Sequence, residues 1–203
     1  DAFHRTSRGE DLMDAFSFAA ALDALAAQGV GVVNLSFAGP ANAVIENSIA
    51  KAQARGMVLV AAVGNDGPMA SPRYPAAYAD VIAVTAVRSD LNVFRRAVRG
   101  QHVAIAAPGV DVWTAQTLDA RNTSLFGPQT GTSMAAPFVT AAAAVIRSNG
   151  AGKRGPAVVR AALLERVKDL GAPGFDPVFG HGLLQMGQLC GSANSTVKLV
   201  TNL

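Results

Sequence analysis

Ser133 is the residue whose type and surroundings most directly suggest chemistry, within the segment 131–137 (GTSMAAP). A serine hydroxyl attacks an acyl carbon when a base takes its proton and hydrogen-bond donors stabilise the oxyanion. Residues 138–146 are small or apolar and carry no charge, which predicts a buried helix ending near 149–150. Ser133 would lie at the N-terminus of that helix, where free N–H groups and the helix dipole favour negative charge. Pro137 is expected in the first turn, where its missing N–H would have no partner anyway.

An ordinary helix cap is the alternative interpretation of this segment, because serine and threonine commonly cap helices. Asn65 is a second candidate for chemistry, since its side-chain amide could donate a hydrogen bond to an oxyanion. It lies in the sequence Gly-Asn-Asp-Gly, which also favours a simple turn. The isolated residues do not decide between these interpretations.

Helices that alternate with short apolar strands must position these residues. A first helix, ended by Gly29, is predicted from apolar residues at helical spacing: Leu12, Met13, Phe16, Leu22, Leu25 and Ala26. A second helix is predicted over 42–55, where Gly56 ends it and its buried residues are Val44, Ile45 and Ile49. A further helix is predicted over 157–168. Nearly continuous apolar runs predict buried strands over 30–37, 57–63, 81–87 and 102–107.

This alternation predicts an α/β fold of three layers, with helices on both faces of a mostly parallel sheet. Ligands of such sheets bind beyond the carboxyl ends of the strands. Ser36 and Asn65 follow predicted strands and Ser133 begins a helix, so the three residues are expected to converge. With 203 residues, of which 50% are hydrophobic, the chain is predicted to form a single domain over 1–203.

Composition argues against several classes of function. The net charge of +3 and the charged fraction of 15% give no basic surface for nucleic acid. Cys190 is the single cysteine, so no internal disulfide can form, as in a reducing compartment or in a secreted protein without disulfides. No membrane-spanning run or signal peptide is apparent, although a chain beginning with Asp says little about a leader. No carboxylate cluster has the spacing of a calcium loop, and no metal ligands are predicted.

The segment 131–137 resembles the nucleophile motif of the subtilisin-like serine proteases, the subtilases. The segments 33–36 (VNLS) and 61–65 (AAVGN) resemble motifs of the same family in the same order. The resemblance runs from about residue 10 to about residue 190. It implies the C-terminal portion of a subtilase catalytic domain, with a subtilisin-like sheet that is incomplete in this chain. The implied activity is hydrolysis of peptide bonds through an acyl-enzyme.

The resemblance assigns roles to particular residues. Ser133 is implied as the nucleophile and as one oxyanion donor through its N–H, with the Asn65 amide as the second donor. An extended peptide is implied to pair with residues 36–39 as an added strand, beside a specificity pocket. An ordinary strand end and turn is the alternative for 36–39. The implied substrate-binding residues are Ser36, Phe37, Ala38, Gly39, Ala62 and Gly64.

Three positions depart from the family pattern. Ala38 stands where the family usually has glycine, so its methyl group could crowd the substrate backbone. Phe138 and Ala141 replace a histidine and a glycine of the family. Neither of these two positions is catalytic in the family, so we attribute both replacements to packing.

The catalytic base of the family has no counterpart in this chain. The family orders its triad as Asp, His and Ser. Its Asp-[Ser/Thr]-Gly and His-Gly-[Thr/Ser] motifs do not occur in the 203 residues. His4 and His102 are predicted to be surface or strand-edge residues, and His181 lies after the serine in a Gly-x-Gly segment. We therefore expect the catalytic Asp and His on sequence outside this chain, which alone is expected to be inactive.

Two other interpretations account for part of the sequence. A subtilase-like domain without its triad could serve as a binding or scaffold domain, although a decayed enzyme has no physical reason to keep both Ser133 and Asn65. An α/β-hydrolase would use Ser133, Asp176 and His181 in that order. That fold needs a strand running directly into the serine, whereas residues 124–129 predict a loop. Ala135 also stands where that motif has glycine.

The resemblance finally implies partners and a location. It implies a secreted or periplasmic protein that acts on peptides or proteins in extended conformation. The missing N-terminal segment of the same domain is a further expected partner, whereas nucleic acid and membranes are not. No cofactor is identifiable, and family members often carry calcium, but their best-known ligand loop lies in the part of the domain that this chain lacks.

Overall fold

The computed structural model of the protein describes residues 3–5, 11–115, 126–148, 154–185 and 187. The helices are α1 (Ala15–Ala27), α2 (Ala43–Ala54), α3 (Thr132–Ser148) and α4 (Pro156–Leu164). The strands are β1 (Phe3–Arg5), β2 (Asp11–Met13), β3 (Val32–Leu35), β4 (Val58–Ala62), β5 (Ile82–Val87), β6 (Val103–Pro108), β7 (Val112–Ala115), β8 (Phe126–Gln129), β9 (Val167–Lys168) and β10 (Leu183–Leu184). The predicted helix end near 149–150 lies outside the described residues.

A six-stranded sheet in the order β3-β4-β5-β6-β10-β9 forms the centre of the fold. The strands from β3 to β10 in this order are parallel to their neighbours, and β9 is antiparallel. Leu35 pairs with Ala61, and Ala62 pairs with Val84, so β3, β4 and β5 present their carboxyl ends at one edge. This edge is where a parallel sheet binds ligands.

Alternate residues of the central strands face two separate cores, as the pleat requires. Val58 and Val60 pack with residues of α3 and α4. Leu59 and Ala61 pack on the other face with residues of α1 and α2. This arrangement confirms the predicted three-layer α/β fold. The predicted strands β4, β5 and β6 are found within one residue of their expected bounds.

The first helix begins later than its apolar spacing predicted. Asp14 caps it, because its carboxylate accepts hydrogen bonds from the first N–H groups at 3.4 and 2.8 Å. Leu12 and Met13 belong instead to β2, which pairs with β1. Phe16 is 73% exposed, so it lies outside the buried face of the helix. The buried residues of α1 are Phe18 and Leu22.

The second helix follows the prediction closely. Asn42 caps α2, and Ile45 and Ile49 are buried as expected, whereas Val44 is only partly buried. The helix α3 packs against the sheet through small residues, since Ala135, Ala136, Ala142 and Ala143 are all buried. None of the helices in the described ranges is long and apolar enough to cross a membrane.

Two predictions in the C-terminal half are wrong. Residues 126–129 were expected in a loop and form β8, which is antiparallel to β7. The helix predicted over 157–168 ends at Leu164, where Arg166 Nη1 donates to the Ala162 carbonyl at 2.7 Å. Residues 167–168 then pair with β10 as β9. At both places the strand forms by pairing with another segment, β8 with β7 and β9 with β10.

The strand β3 differs from the other central strands, because within the described ranges it pairs with β4 alone. Leu35 is its one buried residue, although the apolar run predicted a strand covered on both faces. A groove of about 370 Å³ lies between α1 and β3, and its lining includes Phe18, Leu22 and Val33. An incomplete sheet leaves an edge of this kind.

Candidate active site

Three chain segments meet at the carboxyl edge of the sheet. They are the residues after β3 (36–39), the residues after β4 (63–65) and the residues at the start of α3 (131–133). Ser36 is hydrogen bonded to Ser133, and Asn65 is hydrogen bonded to Thr132 beside it. The structure therefore brings Ser36, Asn65 and Ser133 together, as the strand pattern predicted.

Ser133 is the second residue of α3, so Pro137 lies in the second turn and not in the first, where we predicted it. A proline at this position lacks the N–H that would bond to the carbonyl four residues earlier, which is that of Ser133. Ser36 Oγ donates a hydrogen bond to this carbonyl at 3.0 Å. Pro137 therefore leaves free an acceptor that joins the backbone of Ser133 to the end of β3.

The hydroxyl of Ser133 donates in turn to the carbonyl of Ser36 at 3.0 Å. A peptide carbonyl accepts this hydrogen bond but does not take the proton, so the contact orients the hydroxyl without activating it. Within the described part of the chain, no histidine or carboxylate is hydrogen bonded to Ser133 Oγ. The described residues thus place no base beside the Ser133 hydroxyl.

Asn34 and Thr140 extend the hydrogen-bond network away from the serines. Asn34 Nδ2 donates to Ser36 Oγ at 2.7 Å, and Thr140 Oγ1 donates to Asn34 Oδ1 at 2.9 Å. The network fixes the end of β3 against α3. Sequence reasoning missed both residues, although a polar Asn34 inside an apolar strand was a usable signal.

Thr132 fixes the side chain of Asn65. Both the N–H and the Oγ1 hydroxyl of Thr132 donate to Asn65 Oδ1 at 3.0 Å. Thr132 Oγ1 also accepts a hydrogen bond from the Gly64 N–H at 3.2 Å. Because Oδ1 is held by two donors, the Nδ2 group of Asn65 points away from Thr132. Thr132 is fully buried, and sequence reasoning did not single it out.

Two hydrogen-bond donors lie near the start of α3 and are not engaged within the described residues. One is the N–H of Ser133 itself, which has no backbone acceptor among the described residues. The other is Asn65 Nδ2, which donates no hydrogen bond within the same ranges. Gly131 leaves room beside this group, since a Cβ there would approach Nδ2 to 3.2 Å. Unengaged donors near a serine are a feature of oxyanion sites in serine hydrolases.

The segment 36–39 is held at both ends. Ser36 bonds to Ser133, and the backbone of Gly39 exchanges two hydrogen bonds of 2.9 Å with Tyr74. Phe37 packs edge-on against Phe18, with 5.6 Å between the ring centroids. The segment therefore forms a fixed wall beside the serine.

The remaining predicted substrate-binding residues differ in their exposure to solvent. Ala38 is exposed, whereas Gly64 is buried in a left-handed conformation with φ of +99°. Ala62 is 1% exposed and its methyl group packs in the core, so its side chain does not line an open surface. Contact of these residues with a substrate remains a prediction.

His102 and His181 lie at the opposite edge of the sheet from Ser133. His102 directly precedes β6, and the N–H of His181 donates at 3.0 Å to the carbonyl of Ala104 near the start of β6. Burial lowers the pKa of His102 below its ordinary value of 6.5. The carboxylate of Asp176 accepts two backbone N–H bonds at 2.7 and 2.8 Å. Ser133, Asp176 and His181 therefore do not form a hydrolase triad.

Metal ligands do not cluster in the described ranges. No group of three or more His, Cys, Asp or Glu side chains there could hold a metal ion.

The sequence of the chain also matches a known protein family. The model of the subtilase family matches residues 4–182. Because this match covers most of the chain, the chain belongs to the subtilase family.

Individual relatives agree with this membership. Minor extracellular protease Epr of Bacillus subtilis (strain 168) is 33% identical over 159 residues, which are 76% of this chain and 23% of that protein. Thermitase of Thermoactinomyces vulgaris is 36% identical over 137 residues, which are 67% of this chain and 46% of that protein. The chain therefore spans less than half the length of these curated relatives.

Solved structures have the same fold. A lanthipeptide protease has a TM-score of 0.77 at 20% identity, over 91% of this chain and 67% of that chain. The prenylagaramide maturation protease PagA has a TM-score of 0.75 at 25% identity, over 89% of this chain and 68% of that chain. These likenesses confirm the subtilisin-like α/β fold.

Proposed function

We propose that the chain is the C-terminal part of a subtilisin-like serine endopeptidase, with Ser133 as its nucleophile. The observation that carries this proposal is that two donors near the start of α3, the Ser133 N–H and Asn65 Nδ2, make no hydrogen bond within the described residues. A buried helix cap alone would not require an asparagine held by Thr132 in this orientation.

The proposed reaction forms and then hydrolyses an acyl-enzyme. A base removes the proton of Ser133 Oγ, which leaves the Ser36 carbonyl and attacks the carbonyl carbon of a peptide. The N–H of Ser133 and the amide of Asn65 stabilise the oxyanion. The protonated base returns its proton to the departing amine, and water hydrolyses the ester on Ser133.

The base and its orienting carboxylate are proposed to lie on sequence outside residues 1–203. Two observations support this. Neither family motif for these residues occurs in the chain. The strand β3, which ends beside Ser36, pairs on one side only within the described ranges, so a further strand has room beside the site. Residues 1–203 alone are therefore expected to show no peptidase activity.

The proposed substrate is a peptide or protein in extended conformation, bound along residues 36–39. A macrocyclase named PatG, solved in complex with peptide, has a TM-score of 0.74 at 25% identity over 91% of this chain and 59% of that chain. The relative Epr is named an extracellular protease, and we propose a secreted or periplasmic location on that basis.

Sequencing the complete reading frame upstream of Asp1 tests the proposal. We expect Asp-[Ser/Thr]-Gly followed by His-Gly-[Thr/Ser]. An upstream region without either motif would contradict the peptidase and favour the alternative, a subtilase-like binding or scaffold domain without catalysis.

A further inference from the structure

The proposed peptide-binding segment 36–39 adjoins Gly64, which precedes Asn65. In the proposed reaction the attacked carbonyl lies between Ser133 Oγ and Asn65 Nδ2. With the peptide bound along residues 36–39 as proposed, the side chain of the residue that carries this carbonyl is expected to face Ala38 and Gly64, which lie in contact distance of each other. The protein side chains that occupy the space beside Gly64 therefore limit the size of the substrate residue before the cleaved bond.

Arg73 and Ala38 already occupy the space over Gly64. A Cβ built on Gly64 would lie 3.1 Å from Arg73 Cγ, 3.4 Å from Arg73 Cβ and 3.3 Å from the methyl group of Ala38. Contacts of 3.0–3.4 Å are tighter than almost all real Cβ contacts. The walls therefore leave no gap over Gly64 for a large side chain.

Two interactions hold Arg73 in this position. Its neighbour Tyr74 exchanges two backbone hydrogen bonds of 2.9 Å with Gly39, which places Arg73 alongside the wall 36–39. Arg73 Nε also donates to Asp66 Oδ2 at 2.7 Å, and Asp66 follows Asn65 directly. The side chain is 33% exposed, so most of its surface is in contact with protein.

We propose that Arg73 and Ala38 restrict the residue before the cleaved bond to small uncharged side chains such as glycine, alanine and serine. This inference rests on the proposed function and narrows its substrate class. The stem of Arg73 excludes volume, because its Cβ and Cγ make the contacts at Gly64. Asp66 neutralises the guanidinium, so the pocket does not attract an acidic side chain.

Hydrolysis by the full-length protein from the complete reading frame tests the inference. The substrates are tetrapeptide anilides that differ only in the residue before the anilide, namely alanine, phenylalanine or glutamate. We expect kcat/KM for alanine to exceed the other two values by at least about tenfold, since a mismatched side chain in a pocket changes selectivity by about 10–200-fold. A preference for phenylalanine or for glutamate would overturn the inference.

Substitutions separate the volume of Arg73 from its charge. Arg73→Met keeps the Cβ and Cγ atoms and should keep the preference for alanine. Arg73→Ala, alone and with Ala38→Gly, should raise kcat/KM for phenylalanine about tenfold. Arg55→Ala is the matched control. It breaks a similar exposed ion pair, in which Arg55 Nη1 lies 2.8 Å from Asp23 Oδ1, and this pair is remote from the site. A change of preference in Arg73→Met equal to that in Arg73→Ala would assign selectivity to charge and refute the volume argument.

A binding measurement distinguishes failure of the inference from failure of the proposed function. The Ser133→Ala variant of the full-length protein is titrated with fluorescent peptide acids that end in alanine or phenylalanine. Tighter binding of the alanine peptide supports the filled pocket whether or not the anilides are hydrolysed. Such binding without any hydrolysis would refute the peptidase activity but not the filled pocket. Tighter binding of the phenylalanine peptide would refute the filled pocket whatever the activity.

Discussion

Ser36 and Ser133 exchange two hydrogen bonds across 97 residues of sequence. Ser133 Oγ donates to the Ser36 carbonyl, and Ser36 Oγ donates to the Ser133 carbonyl, each at 3.0 Å. The second bond exists because Pro137 supplies no N–H to the Ser133 carbonyl. The helix that carries Ser133 is thus joined to the end of β3.

Replacing Ser36 with alanine should lower the free energy of unfolding of the full-length protein by about 1 kcal/mol, the typical net value of one hydrogen bond. Pro137→Ala restores an N–H at the position that normally bonds to the Ser133 carbonyl. The cost of Ser36→Ala should therefore be smaller in the Pro137→Ala background, with a coupling energy of about 0.5–1 kcal/mol measured by urea unfolding.

A serine elsewhere provides the control for this cycle. Ser48 Oγ donates to the Val44 carbonyl at 2.8 Å within α2, far from Pro137 in sequence. Ser48→Ala should cost the same in both backgrounds. Equal costs of Ser36→Ala with and without Pro137 would contradict the account of the released carbonyl.

Asn65→Ala should lower kcat far more than it raises KM, because the amide meets a charge that exists only in the transition state. The expected loss is about 10²–10³-fold in kcat, a size taken from the corresponding asparagine of subtilisin and not from this geometry. Steady-state kinetics of the full-length protein on one peptide check it. An effect confined to KM would remove Asn65 from the oxyanion role.

Thr132 and Thr85 form a matched pair of fully buried threonines with opposite surroundings. Thr132 makes hydrogen bonds to Asn65 and Gly64, whereas Thr85 Oγ1 has no hydrogen-bond partner in the described part of the chain. Thr132→Val should lower the free energy of unfolding by about 1–3 kcal/mol, because it strands the Gly64 N–H. Thr85→Val should raise it by about 1 kcal/mol. Urea unfolding of both variants checks the signs, and destabilisation by Thr85→Val would contradict the hydrogen-bond assignment.

Thr132 should also affect catalysis through Asn65. Thr132→Val leaves the backbone N–H bond to Asn65 Oδ1 but removes the hydroxyl bond. Thr132→Val should therefore lower kcat, whereas Thr132→Ser keeps both bonds and should retain the kcat of the unsubstituted enzyme. A role in folding alone would instead leave kcat of the folded Thr132→Val enzyme unchanged.

His102 should make the protein less stable in mild acid. Burial lowers its pKa in the folded state below 6.5, so just below that pH the unfolded chain binds a proton that the folded chain does not. Stability from this residue is therefore present above pH 6.5 and falls as the pH falls towards the folded-state pKa. His102→Gln should flatten the decline in urea midpoint between pH 7 and 5. An unchanged decline would exclude His102 as its source.

The sequence predicted the layers of the fold because its central strands are nearly uniform apolar runs. The strands β4, β5 and β6 were located within one residue for this reason. The start of α1 was mislocated because the apolar spacing of Leu12 and Met13 outweighed the capping signal of Asp14. The two-residue strand β9 exists through its pairing with β10, which no local pattern encodes.

The residues of the candidate site were also partly predictable from the sequence. Ser133 and Asn65 could be named from their motifs, and their convergence from the edge of a parallel sheet. The contacts of Thr132, Asn34 and Arg73 could not, because each joins segments that are distant in sequence or depends on side-chain packing. Hydrogen-bond partners at such distances follow from the fold and not from local sequence.

The central claim is that Ser133 is the nucleophile of a peptidase completed by residues outside this chain. The most direct measurement is hydrolysis of a protein substrate such as casein by the full-length protein, compared with its Ser133→Ala variant. The account predicts hydrolysis by the full-length protein and a loss of at least about 10³-fold in kcat on Ser133→Ala. Equal hydrolysis by both proteins, or none by either when both are folded, would contradict it.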